Sequence, residues 1–138
     1  MPVVYAVRHV MSQPLITVDG ETSAQDAILQ MLEKDIGALA VTEESKPVGI
    51  VTERDIMKKC CPEASCRMVK VKEIMSKPLI TVNGETPLGE AVEIMANESI
   101  RRLFVTEGEK IVGIVTQKDL MRGALIGFHA LDLALSSL

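Results

Sequence analysis

Two four-residue patterns concentrate the polar chemistry of this chain. Thr52-x-x-Asp55 lies in the segment GIVTERDI, and Thr116-x-x-Asp119 lies in GIVTQKDL. In each, an apolar run stops at the threonine, and an apolar helical pattern begins at the aspartate. The spacing suits a helix cap, in which the threonine oxygen and the carboxylate each accept a backbone N–H. It also suits binding. At a strand-to-helix junction the first helical N–H groups have no partner within the helix and carry partial positive charge, a ready anion site. The threonine hydroxyl can add one hydrogen bond to a phosphate or sugar oxygen. An ionised aspartate only accepts, so its two oxygens suit the adjacent hydroxyls of a ribose diol. Aspartate and phosphate must then face different ends of a ligand. The pattern alone allows a cap, a binding site or both.

The elements around these patterns are written twice. VRHVMSQPLITVDGET (Val7–Thr22) aligns with VKEIMSKPLITVNGET (Val71–Thr86), and the offset of 64 residues from Met11 to Met75 also pairs Thr52 with Thr116 and Asp55 with Asp119. Each copy is too short to be a conventional domain, and two stacked copies could bury each other's open faces. Leu15–Val18 and Leu79–Val82 read as short strands, each followed by a turn. A helix over about Ser23–Lys34 has apolar Ala24, Ala27, Ile28, Met31 and Leu32 at helical spacing. In the second copy Thr86 is expected as the cap, with Pro87 at the first helical position. Strands follow at Ala38–Thr42 and Val48–Val51, and again at Leu103–Thr106 and Ile111–Val115. Each copy is therefore β-α-β-β-α, in a mixed α/β (α+β) fold. The expected limits are 1–60 for the first copy, 61–70 for a linker, 71–123 for the second copy and 124–138 for a C-terminal helical extension. The last helix, Lys118–Leu138, is apolar on more than one side and should be buried, on its own subunit or in a dimer contact. The methionine stripe Met31, Met57, Met95 and Met121 reads as core.

Composition removes several function classes. With 138 residues, a formal net charge of −4, no Trp and only Tyr5, Phe104 and Phe128 as aromatics, the chain lacks the basic, stacking surface that nucleic-acid binding uses. The start shows no secretory pattern, and no window has the uncharged length to span a bilayer, so a cytoplasmic protein without a membrane partner is expected. Cys60, Cys61 and Cys66 form one odd-numbered cluster far from His9 and His129 in sequence, which fits reduced thiols on a linker better than a disulfide framework or a metal site. No nucleophile-and-base set, phosphate-binding lysine loop or histidine-rich site appears, and the equivalent aspartates suit two binding sites better than one catalytic pair. Binding without catalysis is the expectation.

The repeated M-S-x-P-L-I-T-V opening and G-I-V-T-x-x-D-[IL] closing resemble the CBS domain family in its tandem arrangement, the Bateman module, over about Val7–Gly123. The resemblance implies two β-α-β-β-α repeats packed through their sheets with pseudo-twofold symmetry. It also implies two clefts that commonly bind adenine nucleotides or S-adenosyl compounds, and association of two modules as a homodimeric disc. A cleft of this family takes its Thr-x-x-Asp from one repeat and its opening strand from the other. That pairs Thr116 and Asp119 with Pro14, Leu15, Ile16 and Ile114. It pairs Thr52 and Asp55 with Pro78, Leu79, Ile80, Ile50 and Ala38. Val18 and Val82 are further apolar wall candidates. The family often places a basic residue before the middle strand to reach the phosphates. Arg101 and Arg102 stand there in the second copy, where the first has Gly37 and Ala38. The Thr116 site is therefore expected to hold AMP, ADP or ATP more tightly, without a metal. The other is expected to be empty or to take a less anionic ligand such as S-adenosylmethionine. Arg54 and Lys118 are expected to face solvent. Sensing of NAD(H), or an interaction role with degenerate clefts, are the alternatives. No enzyme or transporter domain accompanies the repeats, so any protein target is expected in trans.

Overall fold

The computed structural model describes residues 5–60, 66–77 and 79–137. Pro78, Cys61 and half of the expected linker, 61–65, lie outside them. The first copy runs through β1 (Thr17–Asp19), α1 (Ala24–Lys34), β2 (Ala38–Glu43), β3 (Lys46–Thr52) and α2 (Glu53–Lys59). After α3 (Val71–Ile74), the second runs through β4 (Thr81–Asn83), α4 (Leu88–Glu98), β5 (Arg102–Glu107), β6 (Lys110–Thr116) and α5 (Gln117–Ser136). A 3-10 turn at Val7–His9 holds the place of α3 in the first copy. Neither short helix is called by the hydrophobic pattern. The described residues thus form two three-stranded sheets, ordered β1-β2-β3 and β4-β5-β6, with helices between. In each sheet the first pair is parallel, which requires the helical crossover, and the second is an antiparallel hairpin.

Local chemistry sets the ends of the helices. Ser23 caps α1 by accepting the Asp26 N–H at 3.1 Å. Asp35 closes α1 in the left-handed region at φ 54°, and Ile36 N–H then reaches back to the Met31 carbonyl. Ser99 and Ile100 do the same for α4. This closure places an apolar residue, Ile36 or Ile100, against the core just past each helix. The cap of α4 differs from expectation. Pro87 is the cap residue, and Thr86 instead uses its carbonyl to accept the Val7 N–H at 2.9 Å. The opening strands are also shorter than expected. Leu15, Ile16, Leu79 and Ile80 precede them, although the Ile16 and Ile80 carbonyls still accept from Ala40 and Phe104.

The chain divides into two compact units that do not coincide with the copies. One is Ile16–Leu79; the other joins the start of the chain, through Leu15, to Ile80 and all that follows. Each has its own core. The first contains Val18, Met31, Leu39, Val41, Val51 and Ile56, with Val71 taken from the second copy. The second contains the equivalent Val82, Met95, Leu103, Val105, Val115 and Leu120, with Val7 taken from the first copy. Each copy therefore donates its opening segment to the core built by the other. Burying one such side chain contributes about 1.5–3 kcal/mol.

Two expectations fail against this packing. Met31 and Met95 are core, whereas Met57 and Met121, at equivalent outer positions of α2 and α5, are more than 60% exposed. Cys60 is not on an exposed linker. It ends α2 and is buried in the first core, and Cys66 and Val69 pack on that core from outside. For α5, expected to be buried on its own subunit or in a dimer contact, the described residues of the chain itself leave most of the helix uncovered. Leu120 and Gly123 are covered, but beyond them only Ala130 is even half-buried among the described residues.

Candidate functional site

The two Thr-x-x-Asp patterns fold as reciprocal caps. Thr116 Oγ1 accepts the Asp119 N–H at 3.1 Å, while Asp119 Oδ2 accepts the Thr116 N–H at 2.9 Å. Thr52 and Asp55 repeat this at 3.1 and 3.0 Å. Capping leaves chemistry unused. The threonine oxygen accepts in the cap, so its hydroxyl proton remains available to donate. The aspartate commits one oxygen and keeps the other. Asp119 Oδ1 lies 4.0 Å from Nη1 of Arg122, a residue that sequence reasoning missed. Its repeat equivalent is Lys58, and comparing the copies beyond the motif would have found the difference.

The expectation of open N–H groups at the helix start is met only in part. Gln117 N–H donates to the Arg101 carbonyl at 2.9 Å, and Glu53 N–H donates to that of Gly37 at 3.0 Å. With the aspartate N–H groups held by the caps, much of the backbone capacity for an anion is already engaged. Attraction for a phosphate must therefore come mainly from side chains.

The strands bring those side chains to the junction. Arg102 pairs directly with Thr116 across the β5–β6 ladder, and Arg101 precedes it, exposed. In the first copy Ala38 pairs with Thr52. A Cβ at Gly37 would lie 2.7 Å from Oε1 of Glu53, so a carboxylate covers the position that corresponds to Arg101. Glu53 was not among the sequence candidates. Arg54 and Lys118 are exposed, in line with the expectation.

The opening segments meet the closing motifs of the opposite copy. Ser12 N–H donates to the Ile114 carbonyl at 2.8 Å, and Ile114 N–H donates to the Ser12 carbonyl at 3.1 Å. Ser76 and Ile50 exchange the same pair at 2.9 and 3.0 Å. Here lies the reason for glycine in G-I-V-T. A Cβ at Gly113 would stand 2.6 Å from the Ser12 carbonyl oxygen, and one at Gly49 would stand 2.8 Å from that of Ser76. Pro14, Leu15 and Ile114 thus share a unit with Thr116, Asp119, Arg101 and Arg102. Leu79, Ile50 and Ala38 share the other with Thr52 and Asp55, whereas Ile16 and Ile80 fall on the opposite side of each division. The apolar candidates Leu15, Ile16, Leu79, Ile80, Ile50 and Ile114 are all half-buried, and Pro14 is exposed.

Among the described residues no group of three or more His, Cys, Asp or Glu side chains is placed to hold a metal ion, and no helix is long and apolar enough to cross a membrane.

Comparison with known proteins fits this architecture. The family model described as CBS domain matches residues 7–61 and 71–125. An uncharacterized protein of Methanopyrus kandleri is 35% identical over 120 residues, covering 85% of this chain and 61% of that protein. The chain covers 62% of a second archaeal relative, from Methanocaldococcus jannaschii, and so spans about three fifths of both. Among solved structures, a conserved protein of Pyrococcus horikoshii superposes with a TM-score of 0.78 at 34% identity, over 90% of this chain and 95% of that one. A hexameric CBS-CP12 protein of bloom-forming cyanobacteria does so with 0.77 at 33%, over 87% and 68%. With two matches at the repeat positions and two β-α-β-β-α units exchanging their opening segments, the chain belongs to the CBS domain family, as a tandem pair of the kind that generally serves as a regulatory ligand-binding module.

Proposed function

We propose that this protein senses an adenine nucleotide, AMP, ADP or ATP, at the β6–α5 junction and passes its level to a protein partner in trans. The observation that carries the reading is the pairing of Arg102 with Thr116, beside the opening segment held by Ser12 and Ile114. One place then offers a hydroxyl donor at Thr116, an acceptor oxygen at Asp119 and guanidinium groups at Arg101 and Arg102. A nucleotide presents the matching set of phosphate oxygens and a ribose diol. Half-buried Leu15 and Ile114 are the candidates for contact with the base. Signalling requires the ligand to bind two states of the module with different affinity, since only that difference shifts a population.

A second reading applies to the β3–α2 junction. Glu53 over Gly37 and the uncharged Ala38 disfavour phosphate there and favour a neutral or cationic adenosyl compound such as S-adenosylmethionine. Titration calorimetry of the full chain with AMP, ADP, ATP, NADH and S-adenosylmethionine tests both readings, with Asp119→Ala and Asp55→Ala as variants. The nucleotide reading expects binding that depends on Asp119. An Asp119→Ala protein that keeps wild-type affinity for its best ligand removes the site assignment. Failure of all five ligands gives the chain to the interaction-module alternative.

A further inference from the structure

The oxygen of Asp119 that the cap leaves unused has a cation beside it. Oδ2 accepts the Thr116 N–H at 2.9 Å, and Oδ1 lies 4.0 Å from Nη1 of Arg122. The two residues are three apart on α5, a spacing that puts both on one face of a helix. Their side chains differ in exposure, 13% for Asp119 and 65% for Arg122, so the carboxylate is set into the junction and the guanidinium stands at its outer side. At 4.0 Å the charges attract without a hydrogen bond, and Oδ1 keeps its capacity to accept from a ligand. The first copy lacks this arrangement. Asp55 makes the same cap, its equivalent neighbour is Lys58, and among the described residues no cation lies within ion-pair distance of Asp55.

We propose that Arg122 is a specificity-determining residue of the β6–α5 junction: it screens the Asp119 carboxylate and so lets the junction take the more highly charged adenine nucleotides. The inference rests on the nucleotide reading given above. That reading asks one place to hold an ionised carboxylate and a phosphate chain at once. The carboxylate repels each added phosphate charge, and at half-buried Asp119 the repulsion is stronger than in bulk water. A guanidinium beside it lowers that local charge and leaves Oδ1 able to accept a ribose hydroxyl. Arginine suits this task because it stays charged at any working pH and holds its charge on a rigid planar fork. Lysine, a compact charge on a flexible stem, is not drawn to the aspartate in the first copy. Arg122 therefore works through Asp119, whereas Arg101 and Arg102 are the candidates to meet the phosphates. Adenosine carries no phosphate charge, so its binding gains little from the screening. The guanidinium is mostly exposed, which makes the effect several-fold rather than orders of magnitude.

The test is titration calorimetry of the full chain with adenosine, AMP and ATP in magnesium-free buffer, where ligand charge rises along the series. Arg122→Ala should weaken ATP binding about five- to tenfold, AMP binding less, and adenosine binding by less than about twofold. Arg122→Lys keeps the charge and should restore most of the ATP affinity. In an Asp119→Asn background there is no carboxylate charge to screen, so adding Arg122→Ala should cost little more. Lys58→Ala, the equivalent change in the first copy, should leave ATP affinity at the wild-type value. Three results overturn the inference while the nucleotide reading stands. An unchanged ATP affinity in Arg122→Ala gives the residue no role. Equal losses for adenosine and ATP make it a structural residue. A loss for ATP that persists in the Asp119→Asn background makes it a direct phosphate contact. A wild-type chain that binds none of the three ligands removes the nucleotide reading and this inference with it.

Discussion

The two Thr-x-x-Asp junctions share a backbone and differ in charge. Their caps agree to within 0.1 Å, the same carbonyls hold the first helical N–H groups, and the same kind of opening segment crosses each glycine. Around the first junction stand Glu53, Arg54 and Asp55, a formal charge of −1; around the second stand Arg101, Arg102, Lys118 and Asp119, a formal charge of +2. Hydrogen-bond geometry here is a property of the repeat, and charge is what distinguishes one copy from the other. Any selectivity between the junctions must then lie in residues that the motif itself leaves open.

The sharpest way to break this comparison is to remove the two aspartates separately. Each substitution deletes the same cap, so each should lower stability by about 1 kcal/mol. Only Asp119→Ala should weaken nucleotide binding, by roughly ten- to a hundredfold, the worth of hydrogen bonds to a charged group. Equal losses of affinity in the two variants, measured by calorimetry, would mean that the charge difference is not what the ligand reads.

The glycines test the part that the two junctions share. Gly113→Ala and Gly49→Ala each drive a methyl group into a backbone carbonyl, with the thioether of Met11 or Met75 also close by. Each should cost about 1–3 kcal/mol of stability, as overpacking does. Thermal denaturation of both variants should show similar losses. A large loss in only one would show that the exchange of opening segments matters unequally to the two units.

Transplanting charge comes next in size. Gly37→Arg with Glu53→Gln gives the first junction the residues of Arg101 and Gln117. Glu53→Gln removes the negative charge without changing the side chain's length, and its flexible end can swing away from the new side chain at position 37. The double variant should gain nucleotide affinity at the first site by about tenfold, near 1.4 kcal/mol. No gain would mean that the base-contacting walls, rather than the phosphate end, separate the two sites.

Much of this was legible in the sequence because repeats expose themselves. The offset of 64 residues located every strand and the four longer helices, and it placed both caps. What the pattern hid was topology. Nothing in Val7 or Val71 says that each completes the core of the opposite copy, because a valine reads as apolar whichever sheet it reaches. The same limit hid the burial of Cys60, since a thiol followed by proline and polar residues looks like a linker until α2 delivers it to the core. Arg122 and Glu53 were readable, one helical turn beyond the motif and one residue inside it, but only by asking how the copies differ. For α5 the expectation left two surfaces open, its own subunit or a second copy, and the described residues of the chain leave most of the helix uncovered by the first. Apolarity on several sides implies burial, but it does not say whose surface does the burying.

A last and smaller asymmetry lies at the turns that follow β1 and β4. Glu85 pairs with Arg8 at 2.6 Å, whereas the equivalent Glu21 pairs with both Lys70 and Lys72. Hydrogen bonds from Lys70 and then Lys72 hold the Glu21 carboxyl well below the usual carboxylate range, at about 2 against an ordinary 4.5. The folded value lies below the unfolded one, so the contribution is present above pH 4.5 and is lost as the pH falls toward 2. The cluster faces solvent, so the effect should be a small shift in melting temperature. Glu21→Gln should therefore melt slightly below wild type at neutral pH, with the gap closing as the pH falls below 4.5. A gap that stays constant with pH would assign the effect to packing or turn geometry. Added salt at neutral pH gives an independent reading, because screening should shrink a gap that comes from the two lysines and leave a packing effect unchanged.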